Sequence, residues 1–182
     1  MKKLIIAGLL TMMAGPLAAQ NYWEYGSWRV WTEEVDTGED IRRTCTALTG
    51  GDGMPSASVE FSDGDAGPPL FFPSVIVTES APRGYDTVLQ DGQDVYVWFD
   101  DEQTMDSTIY AFRDDEGFAR AEIAFDDPLS QWVLQSMRAN GQMDVMVAGE
   151  VFMTAYLDGF TAAYLKAAEQ CGFDGAGVVT EN

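Results

Sequence analysis

The chain has 182 residues, with 30 acidic side chains against 10 basic ones, a formal charge of −20 and no histidine. So acidic a surface repels phosphate backbones and anionic headgroups, which speaks against nucleic-acid binding and against electrostatic docking on membranes. The absence of histidine removes the Ser-His-Asp and Cys-His mechanisms and the usual zinc and haem ligands.

Met1-Lys2-Lys3 makes a short basic start, residues 4–13 form an uncharged apolar run, and Gly15-Pro16 precedes Leu17-Ala18-Ala19. This three-part order predicts a cleavable secretory signal over residues 1–19, followed by a single exported α+β domain over residues 20–182. The apolar run is too short for a membrane crossing, which takes about 20 residues. No Cys follows it to accept a lipid. Removing Lys2 and Lys3 leaves 8 basic against 30 acidic residues, about −22, with Lys166 as the one lysine. The longest charge-free stretch after the signal, around residues 67–78, holds three prolines, so no integral membrane segment is expected in the mature protein. A periplasmic or secreted location follows.

In chain order, residues 27–34 and 41–48 read as short strands, and Ala57, Val59 and Phe61 alternate with Ser58 and Glu60 as in a half-buried strand. Residues 49–55 and 62–69 are Gly/Asp/Pro-rich loops. Residues 70–78 are a further apolar strand candidate that Pro73 marks as an edge or a break. In residues 94–100, Val95, Val97 and Phe99 share one face, leaving Tyr96 and Trp98 on the other. Residues 107–113 and 118–125 flank Asp114-Asp115-Glu116-Gly117, the pattern of a hairpin turn.

A helix is predicted from Pro128, capped by Asp127, with Leu129, Trp132, Val133 and Met137 as its apolar stripe and Asn140-Gly141 as its end. Two strands, 143–148 and 150–157, surround Gly149. A second helix over residues 159–170 carries Phe160, Ala163, Tyr164, Ala167 and Ala168 at spacings of three and four, with Gly172 as a stop. Cys171 continues that stripe and should face the sheet. An exported chain with two cysteines far apart in sequence predicts a structural disulfide between Cys45 and Cys171. The fold class expected is α+β, mainly antiparallel sheet of sandwich-like form with two helices near the C-terminus.

Trp28-Arg29-Val30 opens the mature domain, Cys45 follows, and Leu157-Asp158-Gly159-Phe160-Thr161-Ala162-Ala163 runs on to Cys171. These segments resemble exported proteins of the invasion-associated locus B family or a related exported family of unknown function. The resemblance touches the two ends of the domain and the helix before the last hairpin. It implies location and architecture rather than an activity.

No Gly-x-Ser-x-Gly, Ser-x-x-Lys or phosphate-binding Gly-rich loop occurs, so no catalytic residue is assigned, and no cofactor or metal is expected. The acidic clusters Asp100-Asp101-Glu102, Asp114-Asp115-Glu116 and Asp126-Asp127 fall where strands meet turns or helices, and none matches a calcium loop. They read as solvated turns. The aromatic pair Tyr96 and Trp98 is the candidate binding surface. The expected function is that of a non-catalytic exported protein that binds an unknown protein partner or an apolar ligand. The alternative is a carboxylate-dependent hydrolase acting on envelope glycans, which needs two carboxylates converging in a cleft.

Overall fold

The computed structural model describes residues 21–36, 38–100 and 102–179. The expected signal, residues 1–19, lies outside them, as does Asp101. In chain order the elements are β1 (Tyr22–Tyr25), β2 (Trp28–Asp36), β3 (Ile41–Gly50), β4 (Ser56–Ser62), β5 (Val75–Ser80), β6 (Val95–Phe99), β7 (Thr104–Ser107), β8 (Ile109–Arg113), β9 (Ala119–Phe125), α1 (Leu129–Ala139), β10 (Gln142–Val147), β11 (Glu150–Tyr156) and α2 (Phe160–Gln170). Seven strands form one sheet in the order β1-β2-β3-β4-β5-β9-β8, and four form a second in the order β11-β10-β6-β7. The pairings are antiparallel throughout. This is the α+β, sandwich-like fold that the alternation of apolar residues predicts.

Period-two alternation decides which face each strand buries. On β4, Ala57, Val59 and Phe61 are buried, and the register sets Ala57 beside Val77 and Val59 beside Val75. Val75 and Val77 pair in turn with Phe125 and Ile123 of β9. Rows of β-branched and aromatic side chains thus cross one face of the large sheet. α2 lies over β1 to β4, and α1 over β5 and β9. The inner residues of the small sheet, Val97, Phe99, Met143 and Val145 among them, join the same continuous core.

Both helices obey their predicted periodicity, with one change each. α2 buries Phe160, Ala163, Tyr164, Ala167 and Ala168, the stripe the spacing predicts. Its start is set by backbone approach: Gly159 sits at φ +87°, and a Cβ there would lie 1.9 Å from the carbonyl oxygen of Tyr25. Ser27 Oγ donates to Asp158 Oδ1 at 2.6 Å, and Ser27 N donates to the Asp158 carbonyl at 3.1 Å. The Asp158-Gly159 pair therefore holds the β1–β2 turn against the helix. α1 buries Ser130, Val133, Leu134 and Met137, whereas Leu129 is exposed, so the stripe lies further round the helix than expected.

The cap expected at Asp127 is not formed. α1 follows Pro128 without a side-chain cap. The amides of Leu129 and Ser130 donate to the carbonyl of Asp126 at 2.8 and 3.0 Å. Backbone oxygen has taken the donors a cap would serve, and the Asp126 carboxylate accepts from Ser74 Oγ at 2.5 Å. Asp127→Ala is thus expected to shift stability by less than about 0.5 kcal/mol, as for an ordinary surface change. Asp126→Ala should cost about 1 kcal/mol, the worth of a hydrogen bond. Urea midpoints of the two variants check the order, and a larger loss at Asp127 would contradict it.

Three further expectations change. Residues 70–73 do not join the strand: Leu70 N and Phe71 N both donate to the Gly67 carbonyl, in a segment where Pro68, Pro69 and Pro73 supply no amide, and β5 starts only at Val75. The strand expected over residues 107–113 is two strands. Ser107 ends β7 in the small sheet, and Ile109 starts β8 in the large one, so the chain changes sheets at Thr108. β1 was not anticipated as a strand.

Candidate functional site

The small sheet has one buried and one open face. Along β6, Val95, Val97 and Phe99 point into the core, and Tyr96 and Trp98 point to solvent, with Trp98 37% exposed. The register fixes what surrounds them. Trp98 stands between Thr104 of β7 and Asp144 of β10, and Tyr96 between Asp106 and Met146. One strand further on, Thr154 lies beside Asp144, Val151 beside Met146, and Tyr156 beside Gln142. Tyr156 is 60% exposed and Val151 55%. The face thus carries Trp98, Tyr156 and Val151 exposed to water, with Tyr96 and Met146 half-buried beside them.

Asp144 lies at the centre of this face. Only 6% exposed, it accepts from Thr154 Oγ1 at 2.5 Å and from Gln142 Nε2 at 3.1 Å. Both donors are neutral, and no ion pair to Asp144 forms among the described residues. Two neutral bonds satisfy part of the group's acceptor positions, and no basic side chain bonds to it among the described residues. β6, β7, β10 and β11 contain no Lys or Arg.

Two hollows adjoin the face. One, of about 460 Å³, is lined by Gln93, Asp94, Tyr96, Asp106 and Ser107. The other, of about 410 Å³, lies between β11 and the β3–β4 turn and is lined by Met54, Pro55, Phe152 and Tyr156. Asp94 and Asp106 are both exposed.

The acidic turns serve local structure. Asp100 Oδ2 accepts from the amides of Gly141 and Gln142 at 2.8 and 3.1 Å. Asp114 Oδ1 accepts from the amides of Phe118 and Glu116 at 2.9 and 3.1 Å, closing the β8–β9 turn. The amide of Phe118 above all, with Glu116 N and Arg120, holds the Asp114 carboxyl below the usual carboxylate range. Whatever Asp114 adds to the turn is therefore present at neutral pH and lost as pH falls through its lowered value. In the hollow of about 290 Å³ that holds Glu79 and Asp86, Glu79 accepts from the amides of Val88 and Leu89, and Asp86 is bound by Arg113.

Cys45 and Cys171 form the expected disulfide, joining β3 to the end of α2. Tyr164 packs edge-on to Phe61 at 5.3 Å, and its hydroxyl finds no partner among the described residues. Burial raises its pKa above the ordinary tyrosine value. Of the residues on the open face, Tyr96 and Trp98 are legible from alternation along β6, whereas Asp144, Gln142, Thr154 and Tyr156 join them only through the register of β10 and β11. Their signal was a single Asp inside the apolar run 143–148. Comparison with protein-family models, with curated proteins and with solved structures yields no match.

Proposed function

We propose that this chain is a non-catalytic exported protein that binds a protein partner through the open face of its four-stranded sheet, with Tyr96 and Trp98 as the central contacts. One observation carries the reading: Trp98, Tyr96, Tyr156, Met146 and Val151 share a face that no other element covers among the described residues, although the opposite face of β6 and β10 is packed into the core. Clustered exposed aromatics around a few fixed polar groups are the composition of a docking surface. The signal-like start and the Cys45–Cys171 disulfide favour an oxidising, exported setting. The resemblance to the invasion-associated locus B family is proposed on the same footing and adds location rather than activity.

The hydrolase reading has less support. Glu79 and Asp86 are both engaged in holding loops. Asp94 and Asp106, which share a hollow, both stand in water, the setting of a charged surface rather than of an acid–base pair.

Affinity capture from the exporting cell with wild-type protein and with Trp98→Ala tests the binding function. A central interface Trp is worth about 2 kcal/mol or more, so recovery of the bound species should fall roughly thirtyfold. The thermal midpoint should stay near the wild-type value, because the ring lies outside the core. Equal recovery by the two proteins would remove Trp98 from any interface.

A further inference from the structure

Resting on the reading of this face as a docking surface, we infer that its occupant is a cationic segment, an arginine- or lysine-bearing stretch of a partner protein. Charge complementarity is the ground. The charged side chains on the face are acidic, Asp106 and Asp144 from its strands, with Asp94 in the adjoining hollow. The four strands supply no basic residue to neutralise them. Elsewhere Arg42 stands against Asp40 and Asp65, Arg43 against Glu34, and Arg120 against Asp114. The carboxylates of the face thus meet no basic side chain from its own four strands, beside the exposed aromatics.

The rings and carboxylates are spaced to act together. Tyr96 pairs directly with Asp106, and Trp98 with Asp144. Directly opposed residues on one sheet face have Cβ atoms about 5 Å apart, which puts a carboxylate beside the edge of each ring. A guanidinium laid on the Tyr96 ring is attracted by the ring quadrupole and reaches the exposed Asp106 carboxylate with its N–H groups, and one laid on Trp98 lies over the buried Asp144. The Asp94–Tyr96–Asp106 hollow of about 460 Å³ accepts one such head group between two carboxylates and a ring. Asp144, buried with two neutral donors and no counter-ion, gains from a cation above it what it lacks in the free protein. Neutral apolar ligands would leave these carboxylates desolvated and unpaired, which is costly.

The test uses the full chain and three labelled, amidated peptides of equal length: alternating Arg-Gly, Gln-Gly and Glu-Gly. At physiological salt the Arg-Gly peptide should bind, with the other two at least about tenfold weaker. Asp94→Asn with Asp106→Asn should weaken the Arg-Gly peptide about tenfold or more, since two charge-assisted contacts are lost. Trp98→Ala should do the same. Asp115→Asn with Glu116→Gln, an equal change of charge at the tip of the β8–β9 hairpin, should alter binding less than about twofold, because exposed charges beyond a Debye length are screened. Equal weakening by the two double variants reduces the effect to net charge and overturns the inference. Equal binding of the Gln-Gly peptide, or no binding of the Arg-Gly peptide, overturns it too. If Trp98→Ala abolishes capture of the cellular partner while the Arg-Gly peptide fails to bind, the face remains a docking surface for an uncharged partner. If Trp98→Ala changes neither readout, the docking surface itself is lost.

Discussion

Replacing Cys45 and Cys171 together by alanine is expected to lower the stability of the folded chain by about 4 to 5 kcal/mol, through the loop-closure entropy returned to the unfolded state. The size follows from the length of the ring, because the bonded residues are 126 apart in sequence. Against a total of about 5 to 15 kcal/mol for an ordinary domain, the loss is large enough to leave the variant partly unfolded at physiological temperature. Position adds to it. Cys45 is fully buried on β3 and Cys171 nearly so at the end of α2, so the bond also fixes the helix against the sheet. Urea denaturation of the double variant, and of the wild type with and without reductant, measures the loss. Thiol titration of the unfolded, unreduced protein should find no thiol, and the reduced protein two. A wild type indifferent to reductant would show that core packing alone carries the fold.

The second large effect is expected at Trp28. Its side chain is 1% exposed, its ring meets Phe160 edge-on at 5.0 Å, and Nε1–H donates to the Tyr156 carbonyl at 3.0 Å. Trp28→Ala should cost about 3 to 5 kcal/mol, from lost apolar burial and the cavity left behind. Trp28→Phe keeps most of the volume but orphans the carbonyl at the end of β11, so about 1 to 3 kcal/mol should be lost. The two values separate packing from hydrogen bonding. Both variants should shift the denaturant midpoint with little change in its slope. A Phe variant as damaging as the Ala variant would mean that the indole bond, rather than the ring, joins the small sheet to the large one.

The fold was largely legible where a segment carried its own period. β4, β6 and α2 bury the residues their spacing selects, and the distant cysteines meet because Cys171 extends the apolar stripe of α2. What escaped depends on tertiary contacts. β1 is four residues held mainly by pairing with β2, and β7 reads Thr-Met-Asp-Ser, a sequence with little strand preference that pairs because β6 offers it an edge. Asp127 has the composition of a cap, yet the carbonyl of Asp126 outcompetes it. At the candidate site, Tyr96 and Trp98 were visible from alternation along one strand. Their neighbours Asp144, Thr154 and Tyr156 come from strands about fifty residues away, and only the register of β10 between β6 and β11 brings them together.

The Cys45–Cys171 bond also decides how the chain responds to a cut. The ring it closes contains every strand from β4 to β11 and both helices, and among the described elements β1, β2 and the beginning of β3 precede it. The two longest connections between strands that hold no helix, residues 63–74 and 81–94, lie inside the ring. Hydrolysis of one peptide bond in either loop therefore frees no fragment. The nicked protein remains one covalent molecule, migrates whole without reductant, and separates into two pieces only when the sulfurs are reduced. A protein so closed keeps its open aromatic face attached to the rest of the fold even after a protease has cut its loops.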